Sequence, residues 1–79
     1  MKFSRLIERT EEYADRVRQG RRIKPEKLAE LQGLLIDKIA RYEARLGDDI
    51  TELKRDKLET RLKVVRAQLH KSEQLATTS

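Results

Sequence analysis

The side chains able to do acid–base or metal chemistry in this sequence are few: one histidine, His70, no cysteine, and carboxylates scattered among cations. A general base or a metal ligand needs partners at fixed spacing. His70, next to Lys71, belongs to no HExxH motif, Glu-x-x-His pair or Ser/His/Asp arrangement. Asp48, Asp49 and Glu52 could attract a cation, but they lack the ligand spacing and the glycine of a calcium loop, and capping of a helix accounts for them better. Without cysteine there are neither disulfides nor thiolate metal sites. The expectation is a chain with no catalytic residues, no metal and no cofactor, hence not an enzyme.

What the sequence does carry is cationic charge in blocks. Between Arg16 and Lys27 stand Arg16, Arg18, Arg21, Arg22, Lys24 and Lys27 against Glu26 alone, and between Arg61 and Lys71 stand Arg61, Lys63, Arg66 and Lys71 with no acid. The net charge of the chain is only +5, so the rest of it is acidic on balance. Cations at a helix C-terminus complement the helix dipole, which accounts for Arg16, Arg18, Arg66 and Lys71. It does not account for Arg21, Arg22, Lys24 and Lys27, which fall in a turn and at a helix start, where positive charge is mildly unfavourable. These four, with Arg66 and Lys71 in support, are the candidate surface for an anionic partner.

Such a surface can neutralise acidic side chains or phosphates. No helix-turn-helix or RNA-binding motif is present, Tyr13 and Tyr42 sit in apolar stripes instead of forming a base-stacking platform, and the other helical faces are rich in acids. A protein partner is therefore the first expectation and RNA or DNA the alternative. The bland account, a solvated basic end that binds nothing, stands beside both.

The elements that position these charges follow from periodicity. Leu28, Leu31, Leu35, Ile39, Tyr42 and Leu46 recur at helical spacing and form one stripe. Pro25 suits a first helical position, and Ile23 before the cap can meet Leu28 as a hydrophobic staple. The predicted second helix spans 25–46 and ends at Gly47. A row of small or modest residues, Ala29, Gly33, Ile36, Ala40 and Ala44, runs along its flank. It predicts close approach of a neighbouring helix in the first instance and a seam for weak homodimerisation in the second.

Upstream, Phe3, Leu6, Ile7, Tyr13, Ala14 and Val17 share a stripe, which predicts a helix over 4–19 with Ser4 as N-cap and Gly20 as the residue after its end. Downstream, Asp49 followed by Glu52 reads as a capping box opening a third helix over 50–74. Its apolar residues Ile50, Leu53, Leu58, Leu62, Val65 and Leu69 include a five-residue step from Leu53 to Leu58 that shifts the stripe around the helix. Leu75 is the last candidate contact, and 76–79 is expected to be a disordered tail.

Short connections make sequential helices antiparallel. The expected fold is all-α: one domain, 1–75, in a small antiparallel up-down-up three-helix bundle, with an extended hairpin that dimerises as the alternative. With roughly 24, 33 and 38 Å of helix at about 1.5 Å per residue, the first helix can cover only part of the other two. Charged residues at 42% and few glycines and prolines suit long helices. No run of apolar residues has the length of a signal-peptide core or of a bilayer crossing, so a cytoplasmic chain with no membrane partner is expected. The functional expectation is a small helical macromolecular interaction module, a protein-binding adaptor or regulator with a basic pole.

Overall fold

The computed structural model describes residues 2–78. They form three helices, α1 (Phe3–Arg18), α2 (Pro25–Leu46) and α3 (Glu52–Thr78), and no strand occurs among the described residues. Contacts run in the same order along α1 and α3: Arg61 lies over the Phe3 ring, and further on Lys71 reaches Glu11. Those two helices are therefore parallel, and α2 runs between them in the opposite sense, an up-down-up bundle of 45 × 19 × 18 Å. Its radius of gyration, 13.9 Å, exceeds the roughly 12 Å of a compact domain of this length. The molecule is a short rod whose most extensive interface joins α2 to α3.

The core is built from the expected stripes. Leu31, Leu35 and Val65 are fully buried, Leu6 nearly so, and Leu28, Tyr42, Tyr13, Ala14, Leu58 and Leu62 are buried around them. Ile39, Leu46 and Leu69 pack at its margin. Two polar residues join the interior, Thr10 and Ser72, both 0% exposed. Each hydroxyl donates back to its own helix, Thr10 to the Leu6 carbonyl at 2.9 Å and Ser72 to the Leu69 carbonyl at 2.6 Å. Burial is therefore not opposed by an unmet hydrogen bond.

Four sequence expectations are corrected. The α1 N-cap is Lys2, not Ser4, and no side chain caps that end. The α3 cap is Thr51, not Asp49: the Lys54 amide donates to the Thr51 hydroxyl at 3.3 Å, an N3-to-cap bond. Leu53, placed on the apolar stripe, is 69% exposed. The cause is the register of α1, which begins beside Tyr42 and Arg61 and leaves the turn end of the hairpin uncovered. The row Ala29, Gly33, Ile36, Ala40 and Ala44 does not receive a neighbouring helix: all five are exposed, Ile36 by 55%, and a Cβ added at Gly33 would meet nothing.

The far end of α3 also differs. The helix continues through Ala76, Thr77 and Thr78, where sequence places a tail, and Leu75 is buried. Ser79, the last residue of that expected tail, lies outside the described residues.

Candidate functional site

The candidate site is the pole where α1 ends, α2 begins and α3 finishes. It starts with a reversal of the chain at Gly20, whose φ of +78° is open to glycine and strained for other residues. The Gly20 amide donates to the Val17 carbonyl at 3.0 Å and the Arg21 amide to the Arg16 carbonyl at 2.9 Å. This double closure is a Schellman motif, which satisfies two of the last carbonyls of α1 and turns the backbone away from its axis. Beyond it the segment Arg22–Ile23–Lys24 runs to the first turn of α2, with Lys24 in extended conformation. Ile23 is 6% exposed and anchors the connection in the core. With Ile23 directed inward, its neighbours Arg22 and Lys24 are both left exposed.

Arg21, Arg22, Lys24 and Lys27 are all exposed, and none makes an ion pair among the described residues. The structure divides them between two flanks of α2. Arg22 and Lys24 border a cleft on the side of α3, whereas Lys27 faces the groove toward α1 together with Arg16. Arg16 itself lies over the Tyr13 ring, 5.6 Å from its centroid.

The two supporting cations are engaged elsewhere. Arg66 reaches Glu43 in the second half of α2 at 3.4 Å, well along the rod from the α2 start. Lys71 holds both Glu11 oxygens, at 2.9 and 3.1 Å. The Lys71 hydrogen bond is the main cause holding the Glu11 carboxyl below its ordinary value, with the Lys71 charge and a hydrogen bond from Gln68 adding to it against partial desolvation.

The cleft is a feature that sequence reasoning missed. It is an open cleft of about 600 Å³ between the start of α2 and the end of α3, lined by Ile23, Pro25, Leu28, Ala29 and Ala76 together with Gln32. No periodic signal announces it, because it depends on α3 continuing past residue 74, so that Ala76 lines the same cleft as Ala29. At its edge α2 begins without a side-chain cap. Pro25 carries no amide hydrogen, and the Glu26 amide has no hydrogen-bond partner among the described residues.

The remaining chemistry-bearing residues lie apart from this pole. His70 is exposed, its Nε2 3.3 Å from the Gln74 side-chain nitrogen. Among the described residues no three of His, Asp or Glu are grouped to hold a metal ion, and no helix is long and apolar enough to cross a membrane. Tyr13 and Tyr42 are 6% and 4% exposed, and Phe3 packs against Tyr42 with ring centroids 6.5 Å apart. No protein-family model, curated protein or solved structure matches the chain.

Proposed function

We propose that this chain is a non-enzymatic interaction module of the cytoplasm that binds an acidic protein partner through Arg21, Arg22, Lys24 and Lys27. The observation that carries the reading is the set of four exposed cations within one connection and one helical turn, none of them in an ion pair among the described residues. Five cations elsewhere are paired, at Arg9–Glu30, Arg18–Asp15, Arg41–Asp37, Arg66–Glu43 and Lys71–Glu11; what sets the pole apart is that its four cations follow one another so closely in the chain, with Glu26 as the one acid among them. A protein partner is favoured over RNA or DNA because all three aromatic side chains pack into the bundle or along its margin, leaving no exposed ring on which bases stack. The apolar surface beside the cations also suits side chains better than phosphates.

The test is capture of partners from the native host on the immobilised chain, with and without nuclease, comparing the parent with the Arg21→Glu/Arg22→Glu double variant. Capture that resists nuclease and disappears with the double variant supports the reading. Capture abolished by nuclease and weakening steeply with salt assigns the pole to nucleic acid instead. If the double variant captures the same partner as well as the parent, the pole is a solvated end.

Weak homodimerisation through Ala29, Gly33, Ile36, Ala40 and Ala44 belongs to the same proposal. Its support is the exposure of the whole row, including the large side chain of Ile36. Sedimentation at rising concentration checks it: mass should increase, and Ile36→Glu should abolish the increase.

A further inference from the structure

The cleft beside the basic pole narrows the chemistry of the partner. We infer that it receives an apolar side chain from an acidic amphipathic segment of that partner, whose carboxylates meet Arg22 and Lys24 at the edge. This rests on the reading of the pole as a protein-binding surface and adds an apolar anchor to it.

Three observations converge on that occupant. Apart from Gln32 and the two cations, the lining is apolar, with Ile23, Pro25, Leu28, Ala29 and Ala76, and the volume of about 600 Å³ admits a leucine- or phenylalanine-sized group. The two charged residues on the edge, Arg22 and Lys24, are of one sign and make no ion pair among the described residues. Lys24 and Pro25, at the start of α2 that no side chain caps, line the same cleft, so an anion there also meets the positive end of the helix dipole.

A bare anion would meet the cations and leave the apolar lining wet, and an uncharged apolar group would do the reverse. A segment carrying Asp or Glu three or four residues from Leu, Ile or Phe on one helical face meets both. Lys27, on the α1 flank of α2, takes no part in this contact.

The experiment titrates the isotopically labelled full chain with short synthetic helical peptides and follows amide shifts. One peptide presents glutamates flanking a leucine, a second replaces that leucine by serine, and a third replaces the glutamates by glutamine. Binding of the first should shift Arg22 to Ala29 together with Ala76 and exceed that of the serine peptide by about tenfold or more, the scale of burying one leucine. Ala76→Phe, which fills the cleft from its surface, should weaken the leucine peptide by a similar factor and leave the serine peptide unchanged. Ala29→Phe, from the opposite wall, gives the same result if the first variant folds poorly, as judged by circular dichroism.

Arg22→Glu/Lys24→Glu should abolish binding of every acidic peptide. Equal affinity for the leucine and serine peptides, both lost on that charge reversal, overturns the apolar anchor and leaves the basic pole standing. Binding that survives the charge reversal overturns the pole itself. Displacement of the leucine peptide by a short single-stranded RNA that binds more tightly overturns a protein as the occupant.

Discussion

Lys71 Nζ sits 2.9 and 3.1 Å from the two carboxylate oxygens of Glu11, joining α3 to α1 across sixty residues of chain. Such a bridge contributes to the register of two parallel helices that share no connecting turn. It also gives Lys71, one of the cations that sequence assigns to the basic pole, a carboxylate partner on α1.

The bridge should be visible in the pH dependence of stability. Because the folded-state Glu11 carboxyl is held below its ordinary value of 4.5, chiefly by Lys71, its contribution is present above 4.5 and is lost as pH falls through the lower folded value. The side chains are 32% and 44% exposed, so the pair should contribute no more than about 1 kcal/mol. Lys71→Met should therefore lower stability slightly at neutral pH and not at all at pH well below 4.5. Denaturant melts across that range check it, and a deficit that persists in acid would show that Lys71 acts through packing.

Truncations should separate the core from the uncovered hairpin end. Leu35 is 0% and Leu53 69% exposed. Leu35→Ala should cost about 2 to 5 kcal/mol, whereas Leu53→Ala should change stability by less than about 0.5 kcal/mol. Comparable losses in urea melts would mean that the turn end is covered in solution.

Two glycines should respond with opposite signs. Gly20 has φ +78°, and Gly20→Ala should destabilise by about 1 to 2 kcal/mol because a Cβ disfavours that conformation. Gly33 is helical, and a Cβ there meets nothing within 4 Å. Gly33→Ala should stabilise by up to about 1 kcal/mol through helix propensity. A loss at Gly33 in dilute solution would reveal a close neighbour at that row.

The start of α3 offers a test of its cap. Thr51→Ala removes the acceptor of the Lys54 amide and should cost about 0.5 to 2 kcal/mol. Asp49→Ala should cost little, since Asp49 lies outside the helix and makes no cap bond among the described residues. Reversed effects in thermal melts would return the cap to Asp49.

Much of this molecule is written in local chemistry. Pro25 and Gly20 mark a start and a stop through backbone geometry that needs no tertiary partner. The repeat Leu28, Leu31, Leu35, Tyr42 names a buried face because helical periodicity alone puts these side chains together. The cationic run from Arg21 to Lys27 is likewise readable as charge that helix electrostatics does not explain.

Tertiary structure decided which faces are covered, and that depends on where each neighbour begins and ends. The register of α1 against α3, held in part by Lys71 and Glu11, leaves Leu53 exposed although its residue type matches that of buried Leu58. With α1 on one flank of α2 and α3 on the other, the Ala29 to Ala44 row faces outward, so its small side chains permit a close approach that no helix of the bundle makes. The continuation of α3 past residue 74 lets Ala76 line the same cleft as Ala29. Helix periodicity specifies the direction in which a side chain points; only the placement of a second helix determines whether anything is there to meet it.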